Sequence, residues 1–131
     1  MGKYDKCKEI IQAQDLPALK ELFNEAQKNN ETDHVSGRLM YGAAVSGWIE
    51  GVMFLLEKEI MPTGFILAEV AYTGSGDYFA VMKLLLETGI NVNSRGRNDN
   101  TPLIEACFSG RYELAKYLIS KGAFIDAKSL K

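Results

Sequence analysis

The 131-residue chain predicts an all-α fold, a solenoid of about four stacked helix-turn-helix repeats. Three observations lead there. First, the segment from Asn98 to Asp126 holds two short helix signals. Thr101 can cap a helix with Pro102 at its first position, where a missing N–H costs nothing. Leu103, Ala106 and Cys107 then share one apolar face, Gly110 interrupts, and Leu114, Tyr117 and Leu118 repeat the spacing before Gly122, a C-terminal cap. Second, the pattern recurs. Leu22, Leu55, Leu85 and Leu118 stand at intervals of 33, 30 and 33, and Ile10, Ala43, Val70 and Ala106 at 33, 27 and 36. Third, helices this short are marginal alone in water, so each needs a neighbour. A period near 33 with two helices per unit is a stacked array.

Thr101-Pro102-Leu103, Ala106, Gly110, Glu113, Lys116-Tyr117-Leu118-Ile119 and Gly122-Ala123 closely resemble the ankyrin repeat. Ala43-Ala44, Gly47, Glu50 and Leu55-Leu56 carry the likeness in the second unit, and Leu84-Leu85-Leu86, Gly89 and Asn91-Val92-Asn93 in the third. Ile104 departs from the usual His, and Glu59 from the usual capping Gly. The resemblance implies one domain over residues 1–131, with repeats at about 3–29, 38–61, 65–89 and 98–126 and short hairpin fingers between them. It identifies a fold and a manner of binding rather than one function.

A chain of this length buries about two-thirds of its unfolded surface. Its net charge of −2 gives no electrostatic reason to expect nucleic acid or an anionic membrane as partner. Cys7 and Cys107 fall in units one and four with no ligand spacing, which points to a reducing compartment. Met-Gly-Lys-Tyr-Asp-Lys has no apolar signal region, and no apolar run reaches transmembrane length, so the expected location is cytoplasmic.

In unit one, Tyr4, Cys7, Ile10 and Ile11 form one helical face, and Lys3, Lys6, Lys8 and Glu9 coat the other as a solubilising end. Asp15 caps the second helix, with Pro17 in its first turn and Leu19, Leu22 and Phe23 inward. The polar stretch Lys28 to Gly37 reads as the first finger, with His34 exposed on a loop. Unit two has a first helix from Met40 to Ser46 and a second from Trp48 to Lys58, whose Gly51 marks a close contact.

Leu56 to Val70 spans 14 residues, whereas the equivalent steps span 20, so the finger there is missing. Ile60 to Gly64 reads as a tight connection, with Pro62 barring a continued helix. Gly74-Ser75-Gly76 reads as a lengthened inter-helix turn; a phosphate cradle would need a preceding strand or a Gly-Lys-Ser/Thr ending. Ile90 to Asn100 is the best-formed finger, and its Asp/Asn cluster lacks the spacing of a calcium loop. Cys107 with Arg111 lacks the loop of a thiol phosphatase, and Cys107 is placed in the core. Arg111, Glu113, Lys116, Ser120 and Lys121 coat the final helix pair, and Leu130 either folds back over it or frays.

No catalytic constellation, metal-ligand spacing or cofactor motif stands out, so the expectation is a protein-binding module without chemistry of its own and without cofactor, acting as a monomer on another protein. A stoichiometric inhibitor masking a toxic or enzymatic partner fits the same composition. The resemblance places contacts on the fingers and on the two residues before each inter-helix Gly. Carried over by motif match, these are Arg97, Asn98, Asn100, Phe108 and Ser109 in unit four, His34, Val35, Gly37, Val45 and Ser46 in unit two, and Tyr72 and Thr73 in unit three. Arg95 joins them, because neither it nor Arg97 is needed for a core. An Arg97→Ala variant is therefore expected to melt like the parent.

Overall fold

The computed structural model describes residues 3–125, and among these the regular structure is entirely helical. Four antiparallel pairs follow one another: α1 (Lys3–Ala13) with α2 (Leu16–Lys28), α3 (Thr32–Val45) with α4 (Ile49–Glu57), α5 (Gly64–Thr73) with α6 (Tyr78–Glu87), and α7 (Pro102–Phe108) with α8 (Tyr112–Ser120). The first helices α1, α3, α5 and α7 stack in one row, and α2, α4 and α6 in a second. Between the rows runs a continuous apolar core. Leu22, Leu55, Leu85 and Leu118 occupy equivalent buried positions in it, as do Ile10, Ala43, Val70 and Ala106. The side chain of Tyr4 and the whole of Leu130 lie outside what is described.

Local signals explain the helix limits. The Asp15 carboxylate accepts the Ala18 N–H at 3.1 Å, and the Thr101 hydroxyl accepts that of Ile104 at 3.3 Å, each in front of a proline in the first turn. Gly122 closes α8 at φ +98°; Glu59 closes α4 in the same left-handed region at φ +63°, a conformation that disfavours a side chain. Gly51 is a close contact, since a Cβ there would stand 2.5 Å from the Trp48 ring.

The first finger does not form. The chain is already helical from Thr32, and only residues 29–31 connect units one and two. Val35, Leu39, Met40 and Ala43 make one buried stripe, and the polar residues between them are simply the other side of α3. Burial of that stripe overrides the polar composition that suggested a loop. Unit two thus begins near residue 32, and His34, Val35 and Gly37 lie on a helix. Gly37 inside α3 costs helix stability of about 1 kcal/mol relative to Ala.

Between α4 and α5 the connection is short and without strands, as its length required. The segment 90–100 forms turns rather than paired strands: Gly96 N–H donates to Asn100 O at 2.9 Å and Asp99 N–H to Gly96 O at 3.0 Å. It lies back over α5. A Cβ on Gly64 would run into the Ser94 side chain, and one on Gly96 into that of Ala68. The Gly74–Gly76 turn is an inter-helix turn that packs on unit two, where Ser75 N–H donates to Val45 O at 2.8 Å.

Two placements differ from expectation in unit four. Cys107 is exposed: Leu103 and Ala106 are buried against neighbouring helices, while Cys107 lies further around α7, where none of the described residues covers it. Arg111 does not coat that end. It turns inward to unit three, donating to Gly74 O at 2.6 Å and Val70 O at 3.3 Å, with its guanidinium 4.0 Å from the Tyr78 ring centroid.

Candidate protein-binding surface

The ends of the first helices form a row. Stacking α3, α5 and α7 in register brings Val45, Tyr72 and Phe108 to equivalent places at their C-termini. Val45 is half-buried, but Tyr72 is 52% exposed and Phe108 72% exposed, large apolar groups with no core to enter. Beside them Thr73 is exposed, while Ser46 and Ser109 are half-buried and hydrogen-bonded. Ser46 Oγ donates to Ala43 O at 3.3 Å. Ser109 Oγ sits 2.9 Å from Glu105 O and 3.2 Å from Ala71 O, so it fastens the end of α7 to α5.

The loop residues divide. Asn98 is exposed. Asn100 is buried, because it leads directly into the first turn of α7, so its side chain is no contact group on the free surface. Arg95 is half-buried and donates to Asp99 O at 2.6 Å, which folds it onto its own loop. On α3, His34 and Gly37 are exposed, but Val35 is fully buried in the core and is likewise not a surface group.

Arg97 corrects the expectation that it is energetically idle. Its guanidinium Nη2 lies 3.1 Å from Glu69 Oε1 on α5, and the Tyr41 hydroxyl on α3 donates to the same oxygen at 2.8 Å. The Glu69 side chain is 7% exposed, that of Arg97 63%. Arg97 also sits over the Phe65 ring, 5.9 Å from its centroid. Burial, and then the hydrogen bond to and charge of Glu69, push the Tyr41 hydroxyl above its ordinary pKa. One carboxylate thus ties together units two and three and the loop leading to unit four. Sequence reading missed both Tyr41 and Glu69. A signal was present: Glu69 is the one charged residue of Gly64–Thr73, flanked by buried Leu67, Ala68, Val70 and Ala71.

The surface offers apolar contact, hydrogen bonding and charge. Among the described residues, no three or more His, Cys, Asp or Glu side chains are grouped to hold a metal ion. No helix there is long and apolar enough to cross a membrane.

Comparison with known proteins gives a consistent picture. The family model for ankyrin repeats in three copies matches residues 9–129. Over 49 residues, 37% of this chain and 2% of the relative, the chain is 47% identical to the Ankyrin repeat and KH domain-containing protein mask-1 of Caenorhabditis elegans. Over 98 residues, 72% of this chain and 9% of the relative, it is 35% identical to the Transient receptor potential cation channel subfamily A member 1 of Homo sapiens. The chain therefore spans under a tenth of the length of these curated relatives.

Proposed function

The chain belongs to the ankyrin-repeat family, whose repeats form protein-interaction modules, and from that premise we propose that it is an adaptor binding one protein partner through the row of first-helix ends. The observation that carries this reading is the pair Tyr72 and Phe108, equivalent in adjacent packed helices and both largely exposed. An aromatic pair of this kind, with a guanidinium (Arg97) on the same side of α5, matches the composition of interface hot spots. The helices beneath are locked by Ser109 and Arg111 onto unit three, so little conformational freedom is left to lose on association. Two unbridged thiols, Cys107 exposed among them, support a partner met in a reducing compartment.

The test starts with affinity capture from native lysate and identification of the partner by mass spectrometry. With that partner purified, Phe108→Ala and Tyr72→Ala are each expected to weaken binding by roughly 1–3 kcal/mol. Lys116→Ala, on an exposed stretch of α8 and 3.4 Å from exposed Glu113, is the control and should bind normally. Loss of binding in the control with retention in both aromatic variants would move the interface to the second-helix side.

A further inference from the structure

The side of unit four turned away from unit three is apolar on both helices. On α7, Ile104, Cys107 and Phe108 recur at i, i+3 and i+4, opposite the buried face of Pro102, Glu105 and Ala106. On α8, Tyr112 and Ile119 lie two turns apart on one stripe. Tyr117, on the other flank of α8, packs on Phe79 of unit three with ring centroids 5.5 Å apart. The turn after α8 adds Phe124 and Ile125. Asn93 holds that turn from the unit-three side: its Oδ1 accepts the Phe124 N–H at 2.8 Å, and its Nδ2 donates to Gly122 O at 3.4 Å. Phe108, Tyr112, Ile119, Phe124 and Ile125 are each between 43% and 73% exposed.

Neither stripe contains a charged residue, and beside them Glu113 and Lys116 pair with each other at 3.4 Å. Such a face has no charge pattern with which to select a different protein, and it meets its own image without like-charge repulsion. A buried aromatic side chain accounts for about 150–250 Å², so the exposed parts of these five residues amount to roughly 600 Å² per copy. Two copies together bury about 1,200 Å², the lower bound of specific interfaces. Among the described side chains of α1 and α2 no large apolar residue is exposed, so a head-to-tail contact finds no apolar counterpart there. We propose that this face binds the same face of a second copy in a two-fold dimer, in place of the monomer expected from the sequence. The inference goes beyond the adaptor reading and shares only Phe108 with it.

Sedimentation equilibrium of the full chain, from about 1 μM to about 500 μM, tests it. The average mass should climb from 14.5 kDa towards twice that value, with a dissociation constant on the order of micromolar. Ile119→Glu and Tyr112→Glu each put a carboxylate into the face and should raise that constant at least tenfold. Both positions are exposed, so neither change empties a core site, and melting of the dilute variants checks that the fold is kept. Met53→Glu, at an exposed position on α4, is the control and should dimerise like the parent. Labelling of Cys107 by a thiol reagent, fast in the dilute parent, should slow several-fold on concentration, and should not slow in Ile119→Glu. A mass near 14.5 kDa throughout, dimers that survive both glutamate substitutions, or Cys107 labelling that ignores concentration while dimers form would each overturn the proposal. The adaptor reading is judged apart: Tyr72 lies on α5, outside this face, so Tyr72→Ala should leave the dimer intact, and a captured partner that needs Tyr72 supports the adaptor whether or not dimers form.

Discussion

Replacing Arg97 by Ala tests the buried carboxylate directly. In the parent, Glu69 keeps two donors on one oxygen, Tyr41 at 2.8 Å and Arg97 at 3.1 Å. A hydrogen bond to a charged group is worth about 1.5–3 kcal/mol, an exposed ion pair about 0.2–1, and breaking a fully buried pair costs about 3–5. This pair lies between those limits. The carboxylate is only 7% exposed, but the guanidinium is 63% exposed, so water screens it from one side. Arg97→Ala should therefore destabilise the protein by about 1–2 kcal/mol, lowering its melting temperature by roughly 4–8 °C for a domain of this size. The assay is thermal and urea unfolding of Arg97→Ala, Glu69→Gln and the double variant. Once Glu69 is a neutral amide, the loss of Arg97 matters less, so the double variant should be more stable than additivity gives, with a coupling near 1 kcal/mol. Melting of Arg97→Ala within 1 °C of the parent, or strict additivity, would refute the reasoning and return Arg97 to the solvent.

Leu85→Ala and Leu118→Ala each empty a fully buried position and should cost about 2–5 kcal/mol; equal melting of both variants and the parent would show the repeat register to be wrong. A thiol reagent should modify Cys107 at once and Cys7 only on unfolding, because Cys7 is buried and burial raises its thiol pKa; two equally fast thiols would contradict the placement of α1. The raised pKa of Tyr41 makes the folded state hold that proton more tightly than the unfolded state. Its stabilising contribution is complete below about pH 10 and disappears as pH rises through the folded value. In an ultraviolet titration, Tyr41→Phe should remove a component that ionises above the ordinary tyrosine range, and an unchanged alkaline tail would rule that out.

The helix pairs were legible because burial leaves a periodic mark. Leu22, Leu55, Leu85 and Leu118 repeat at nearly constant spacing, and the missing finger was visible as a short step between Leu56 and Val70. The start of α3 was harder to read. Asp33, His34, Ser36 and Gly37 read as loop, and the apolar stripe there is thin, with Val35 and Leu39 a full turn apart. Cys107 obeyed the helical spacing, but spacing cannot say which position on an apolar face the fold leaves uncovered. The surface was partly legible: the aromatic positions before the inter-helix turns could be named by motif, whereas the bonds of Arg97 to Glu69 and Arg111 to Gly74 span 28 and 37 residues. Contacts of that range leave no local periodicity to detect.

The turns that replace paired fingers change how the chain can meet others. An open strand presents a row of unpaired N–H and C=O groups, and another extended chain can add to it. Among the described residues no strand exists, so none of them offers such a template. The binding reading proposed above accordingly rests on side chains and helix surfaces, not on main-chain augmentation. The same absence closes one route to misassembly. Contacts between folded copies over the described residues would fall to exposed apolar side chains such as Met61, Tyr72, Phe108 and Ile119, each of which a single substitution can remove.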